Sequence, residues 1–198
     1  MSKLLREFYV RPSVVQIAKD LLGKYLLTRL EDTVTGGMIV ETEAYAGPED
    51  RASHAYNSRR TSRTEIMFHE GGVAYVYLCY GIHHLFNIVT NVEGIPHAVL
   101  IRAIEPTDGV ELMLHRRNMK EVSLKLSGGP GTLTQALGIK TTHTQTDLTG
   151  EQIWLEDRGF LVPEDEIIAG PRVGVSYAGE DAENPWRFQL KNRSNGVF

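Results

Sequence analysis

Val73-Ala74-Tyr75-Val76-Tyr77-Leu78-Cys79-Tyr80-Gly81-Ile82-His83-His84-Leu85-Phe86-Asn87-Ile88-Val89-Thr90 is the stretch that decides the fold. Two runs rich in β-branched and aromatic residues, Val73–Cys79 and Leu85–Thr90, flank Tyr80-Gly81. That pattern predicts an antiparallel hairpin with a glycine near its tip. Side chains alternate faces along a strand, so Tyr75 and Tyr77 share one face and Tyr80 stands at the corner. Aromatic residues on a sheet most often belong to the core. Beside an exposed tip, the same flat rings can stack on a base or wedge between bases. Asn87 lies on the return strand, where a buried amide needs hydrogen bonds, either from the backbone or from a ligand edge.

A second strand pattern lies upstream, in Met38-Ile39-Val40-Glu41-Thr42-Glu43-Ala44-Tyr45. Alternation puts Glu41, Glu43 and Tyr45 on one face and Met38, Val40 and Thr42 on the other. On an enclosed face, two carboxylates this close repel each other's ionised forms. One or both would then titrate high, which suits a general base. On an open face they are ordinary surface charges, and spacing does not choose between Glu41 and Glu43. His54 follows the polar loop Gly47-Pro48-Glu49-Asp50 and can serve as donor, base or ligand. No Cys and His spacing suits zinc, and the adjacent His83 and His84 would face opposite sides of a strand.

Outward from these segments, Val14, Ile17, Ala18, Leu21 and Leu22 recur at helical spacing. They predict a helix over Ser13–Leu22, capped by Ser13 and ended by Gly23. Strands are expected near Tyr25–Leu30 and Met38–Tyr45, with Gly36-Gly37 as their turn. Residues 47–61 read as loop, and Ser62 with Glu65 resembles a capping box that opens a short helix to Phe68. A strand near Ala98–Arg102 leads to a helix from Pro106 to about Arg117. Gly128-Gly129-Pro130-Gly131 precedes a helix over Thr132–Leu137. Its outward N–H groups could hold a phosphate, although the segment matches neither a P-loop nor a dinucleotide fingerprint. Further strands are expected at Ile153–Glu156, Ile167–Ile168 and Arg172–Ser176. With no repeat or linker, residues 1–198 are expected to form one mixed α+β domain. It would have a central curved, largely antiparallel sheet, flanking helices and a protruding β-hairpin.

Charge alone points away from nucleic acid, since the formal net charge is −4. Its distribution is uneven. Residues 147–166 hold seven acids and one base, a balance of −6, which leaves +2 on the rest. Arg51, Arg59, Arg60 and Arg63 fall within thirteen residues that contain no acid, and Arg187, Lys191 and Arg193 lie near the end. A basic face with an acidic back is one reading, and solvated surface charge is the other. A single cysteine, Cys79, fits a reducing cytoplasm. No apolar run reaches the ~20 residues of a membrane span, so no membrane association is expected.

Taken in order, these pieces resemble the alkyladenine (3-methyladenine) DNA glycosylases of the mammalian-type fold. The resemblance covers nearly the whole chain. It runs from Phe8-Tyr9-Val10-Arg11-Pro12-Ser13 and Ala18-Lys19-Asp20-Leu21-Leu22-Gly23 through Glu41–Tyr45, Gly47–Asp50 and Ala52-Ser53-His54. It continues with Tyr75-Val76-Tyr77, Tyr80-Gly81, Asn87, Leu100-Ile101-Arg102-Ala103, Gly129-Pro130-Gly131, Gln135-Ala136-Leu137 and Arg172-Val173-Gly174-Val175. It implies Glu43 as general base for an attacking water, with Arg102 helping to hold the water and the reacting phosphodiester region. Tyr45, His54 and Tyr77 would enclose a flipped base, with Tyr45 and His54 across the slot from Tyr77. Asn87 would reject normal guanine through its exocyclic amino group. Tyr80 would fill the gap left in the duplex, with Ile82 beside it where relatives often carry Met. Arg59, Arg60, Arg63, Gly131 and Thr132 are candidate contacts to the DNA backbone, Thr132 standing where some relatives have lysine.

The resemblance implies a monomeric, monofunctional enzyme of base excision repair that acts on double-stranded DNA containing damaged purines. No metal or organic cofactor is implied, and no lysine in the matched motifs is placed to attack the sugar. Two other readings use the same residues. One is a non-catalytic binder of damaged or distorted nucleic acid, the other a hydrolase of free nucleosides.

Overall fold

Nine strands form one sheet in the computed structural model, which describes residues 1–30 and 32–191. They are β1 (Ser2–Lys3), β2 (Tyr25–Leu30), β3 (Thr33–Tyr45), β4 (Ala74–Cys79), β5 (His83–Thr90), β6 (His97–Asp108), β7 (Ile153–Asp157), β8 (Ile167–Gly170) and β9 (Arg187–Leu190). The main path runs β1-β7-β2-β3-β6-β5-β4, and β9 joins β3 to β8. Each of these pairings is antiparallel. Five α-helices occur among the described residues: α1 (Arg6–Tyr9), α2 (Val14–Asp20), α3 (Val110–Arg116), α4 (Leu124–Ser127) and α5 (Pro130–Leu137). The expected mixed fold on a largely antiparallel sheet is the one the chain adopts. No described helix is long and apolar enough to cross a membrane.

α2 forms as its periodicity dictates. Ser13 Oγ accepts the Gln16 N–H at 3.2 Å, and Gly23 ends the segment at φ +79°. Its face of Val14, Ile17 and Ala18 packs with Leu26, Ile39 and Ile101 of the sheet. Thr42 Oγ donates to the Ala18 carbonyl at 2.8 Å and fixes α2 over β3. Truncating fully buried Ile17 to Ala would cost about 2–5 kcal/mol.

Four local expectations fail for identifiable reasons. Gly36-Gly37 is not a turn, because β3 runs straight through it. A Cβ on Gly37 would sit 2.1 Å from the Glu105 carbonyl oxygen, so the pair admits close approach of β6 instead. Pro106 does not start a helix. It continues β6 opposite Gly37 at a register shift, where its missing N–H is tolerated, and α3 begins only after Gly109 at φ +63°. Ser62 and Glu65 form no capping box; Thr61 and Thr64 exchange backbone-to-hydroxyl bonds, and Glu65 pairs with Arg60. Arg172–Ser176 is not a strand. The edge beside β3 goes to β9, whose only buried anchor is Phe188.

Two bulges place side chains for the site. Between Ile39↔Ile104 and Glu41↔Ala103, β3 carries the extra residue Val40; one step on, β6 carries the extra residue Arg102. A bulge re-aims the side chains beside it. The hairpin forms as read, with Cys79 opposite His83 and Tyr80-Gly81-Ile82 as its tip. Tyr80 adopts φ +51° and is 89% exposed, and Ile82 is 71% exposed. Two large apolar side chains thus stand in solvent at a turn, where packing gives them no purpose.

Candidate active site

A cavity of about 300 Å³ opens beside the hairpin. Six of the residues singled out from sequence line it together: Tyr45, His54, Tyr77, Tyr80, Asn87 and Arg102. They come from β3, a loop, β4, the hairpin tip, β5 and β6, which the sheet order brings side by side.

Glu43 has no exposed surface and does not itself line the cavity, but three residues that do are its partners. The Tyr45 hydroxyl donates to its Oε2 at 2.7 Å, and the Val173 backbone N–H donates to its Oε1 at 2.7 Å. Arg102 Nη1 stands 3.3 Å from that Oε1. Burial, and next the Glu43 charge, raise the Tyr45 phenol well above its ordinary value, so it remains a donor. Glu41, also buried, accepts from Arg102 Nε and from Arg187 Nε, each at 2.8 Å. Burial works against the Arg102 charge, but Glu43 and Glu41 outweigh it and hold the guanidinium above its ordinary value. The two carboxylates read from the strand thus differ in setting. Glu41 braces two arginines, while Glu43 meets Tyr45, Val173 and Arg102, which line the cavity.

Tyr45 forms one wall, backed by the Arg172 guanidinium 4.8 Å from its ring. His54, Tyr75 and Tyr77 form another cluster. The His54 ring meets Tyr77 edge-on, with centroids 4.7 Å apart, so His54 groups with Tyr77 and not across from it. Arg63 lies over the Tyr77 ring at 4.9 Å and donates from Nε to the Tyr75 hydroxyl at 3.2 Å. Its Nη2 reaches His54 Nε2 at 2.9 Å. The same Nη2 lies 3.2 Å from His54 Nδ1, which also stands 2.9 Å from the Tyr75 hydroxyl; a guanidinium can only donate, so the ring accepts from Arg63. Burial, reinforced by Arg63 and Arg59, lowers the His54 pKa to about 4, which keeps the ring neutral. Both imidazole nitrogens are occupied. That leaves the His54 backbone N–H, which takes no acceptor among the described residues, as its available donor. Asn87 donates its amide to the carbonyls of Tyr75 at 3.2 Å and Leu85 at 3.4 Å, so its own oxygen is the part turned from the backbone.

The backbone candidates separate. Arg60 is forked onto Glu65, and Arg63 belongs to the His54 cluster, whereas Arg59 forms no side-chain ion pair among the described residues. Thr132 Oγ accepts the Gly129 N–H at 3.0 Å, so the hydroxyl caps α5. Gly131 packs on His83, where a Cβ would lie 2.9 Å from Nδ1. Arg193 lies outside the described residues. Sequence reasoning missed Val173, Asp50 and Arg172 as supports of the site. Their signal lay in two segments, Gly47–Asp50, read as loop, and Arg172–Val175, whose alternation resembled a strand. Among the described residues, no group of three or more His, Cys, Asp or Glu could hold a metal ion.

Residues 7–194 match the family model described as methylpurine-DNA glycosylase. A protein of Chlamydia felis, provisionally named 3-methyladenine DNA glycosylase, is 44% identical over 94% of this chain and 95% of its own length. Similar proteins with the same name come from Chlamydia pneumoniae, 44% identical over 98% of this chain and 97% of its own, and from Alkaliphilus oremlandii, 43% identical over 96% of each. The chain therefore belongs to the methylpurine-DNA glycosylase family, enzymes that hydrolyse N-glycosyl bonds in DNA.

Proposed function

We propose that this chain is a monofunctional DNA glycosylase of base excision repair. It flips alkylated or deaminated purines, of the 3-methyladenine, 7-methylguanine, hypoxanthine and ethenoadenine class, out of duplex DNA and hydrolyses their bond to deoxyribose. The observation that carries this is Glu43, a fully buried carboxylate held by Tyr45, Val173 and Arg102, three residues that line an aromatic-walled cavity.

The flipped base lies between Tyr45 and the Tyr77–His54 wall. Stacking favours electron-poor and cationic purines there, and flipping is cheapest for bases that already pair badly. The His54 backbone N–H meets the base edge, and the Asn87 oxygen reads the position of an exocyclic group. As the C1′–N bond breaks, its electron pair leaves with the base and the sugar gains positive charge. Glu43 stabilises that charge and takes a proton from water, whose oxygen bonds to C1′. Arg102 holds the water and the nearby phosphodiester. No lysine lines the cavity, which supports water over an amine as the nucleophile. Tyr80 and Ile82 enter the gap in the duplex.

Single-turnover base release tests this. Duplexes carrying hypoxanthine or ethenoadenine, and separately methylated DNA, are compared with wild type and Glu43→Gln. Release that collapses in the variant while DNA binding persists supports the reading. A folded wild type that binds damaged duplex and releases nothing would leave a damage-binding module instead.

A further inference from the structure

On the far side of the hairpin lies a groove of about 410 Å³. Tyr80 lines the Tyr45–Tyr77 cavity, whereas Ile82 lines this groove, so one three-residue tip divides two depressions. Among the described residues, the groove wall includes His83, His84, His115, Arg116 and Lys140, and no carboxylate. α5 fixes it to the hairpin, since Thr134 Oγ donates to the His84 carbonyl at 2.6 Å. The Thr141 N–H donates to His84 Nδ1 at 3.2 Å, leaving Nε2 as that ring's donor.

Unpaired cations are concentrated in the chain segment that supplies Arg116 and Lys140 to this groove. Among the described residues, eight Lys and Arg side chains make no ion pair: Arg59, Arg63, Arg116, Arg117, Lys120, Lys125, Lys140 and Lys191. Five of the eight fall between 116 and 140, in α3, α4, α5 and their connections. Residues 112–146 hold those five bases and one acid, Glu121, a balance of +4 in a chain of net −4. Among the described residues, Arg116 donates to the Thr35 hydroxyl and the Ala136 carbonyl. Arg117 bonds the carbonyls of Leu126 and Lys125 and the Gln135 amide oxygen. Among the described residues these acceptors are all neutral. Lys120, Lys125 and Lys140 are exposed.

We propose that this helical corner and its groove receive the phosphodiester backbone of the undamaged strand. That strand stays on the Ile82 side of the wedge while the other delivers its nucleotide to the Tyr80 side. The proposal rests on the glycosylase reading and names the surface that lets an acidic protein hold a polyanion. Backbone contact depends on local cations and not on net charge.

The test uses the full chain with Lys120→Gln, Lys125→Gln and Lys140→Gln combined, its fold checked by thermal melting. The probes are a hypoxanthine-containing strand alone and the same strand in duplex. The variant is expected to lose about tenfold or more in duplex affinity, with a salt slope shallower by roughly two to three. Its binding to the single strand and its base-release rate at saturation stay unchanged. Neutral methylphosphonate linkages in the undamaged strand should weaken wild type and barely affect the variant. Wild-type duplex affinity in the variant, or equal losses on single strand and duplex, would overturn the proposal. Failure of the glycosylase reading looks different: wild type releases no base, while the two affinity comparisons still report on the groove.

Discussion

Arg172 and Asp50 form a forked ion pair in which neither side chain reaches solvent. Arg172 Nη2 meets Asp50 Oδ1 at 2.8 Å, and the same guanidinium donates to the Ala44 carbonyl at 2.8 Å and the Asp181 carbonyl at 3.0 Å. Burial opposes its charge, and Asp50 outweighs burial to hold it above its ordinary value. Asp50 also accepts the N–H groups of Ala46 and Ala52. The pair therefore joins the end of β3, the His54 loop and the segment that supplies the Val173 N–H to Glu43. Asp50→Asn would leave a buried guanidinium uncompensated, with an expected loss of about 3–5 kcal/mol of unfolding free energy. Urea denaturation measures it, and a loss below about 1 kcal/mol would show that the pair is not a structural support.

Tyr45 has two separable roles, a ring at the cavity wall and a hydroxyl on Glu43. Tyr45→Phe keeps the ring and removes the 2.7 Å donor. A hydrogen bond to a charged group contributes about 1.5–3 kcal/mol. Single-turnover base release should fall about 10- to 100-fold, with affinity for damaged duplex kept. Equal losses in both quantities would mean that the hydroxyl serves binding and not the reaction.

His54 makes stability depend on pH. In the unfolded chain it titrates near 6.5, and in the fold at about 4, through burial and then Arg63 and Arg59. Between those values the unfolded chain binds a proton that the native one refuses. The contribution is therefore complete above pH 6.5 and lost as pH falls toward 4, on the order of 1–3 kcal/mol. His97 and His143, also lowered by burial, add to the same slope. Arg63→Gln should move the His54 midpoint upward while burial keeps it below 6.5, as followed by its imidazole NMR signals. An unmoved midpoint would exclude Arg63 as a cause.

How much was legible follows from the range of the forces involved. The hairpin, α2 and the Glu41–Tyr45 strand were readable because their patterns are local: β-branched alternation, a 3.6-residue period, a serine cap. The grouping of Tyr45, His54, Tyr77, Tyr80, Asn87 and Arg102 came from motif order, since they meet only through the strand order β3-β6-β5-β4. Pro106 and Gly36-Gly37 misled because both usually punctuate chains, and here each answers to the strand opposite. Arg63 looked like free surface charge because its partners, His54 and Tyr75, are nine and twelve residues away. The +4 stretch at 112–146 was countable from sequence, but that two of its bases, Arg116 and Lys140, share a groove with Ile82 was not.

Gly37 tests the sheet. Its φ is ordinary, so the constraint is space: the added methyl of Gly37→Ala would meet the Glu105 carbonyl oxygen at 2.1 Å, and backbone cannot swing aside as a side chain can. A cost of about 3 kcal/mol or more in chemical denaturation is expected, at the upper end for overpacking. The nearest atoms to the methyl of Gly131→Ala belong to the His83 side chain, from 2.9 Å, and this change should cost less than about 1.5 kcal/mol. Equal costs would mean that β3 and β6 can spread.

Tyr80 separates stability from function most cleanly. It sits at φ +51°, where a non-glycine residue is strained, and exposes 89% of its surface, so it contributes almost nothing to the core. Tyr80→Gly relieves that strain but gives the unfolded chain more freedom, and the two effects oppose each other. The melting free energy should therefore stay within about 0.5 kcal/mol of wild type. If the ring fills the space of a flipped nucleotide, base release from duplex should fall at least about tenfold, because unstacking is no longer compensated. Release from the same lesion in single-stranded DNA, which has no gap to fill, should change less than about twofold. A variant that loses activity equally on both substrates would place Tyr80 in the cavity wall and leave the duplex without a wedge.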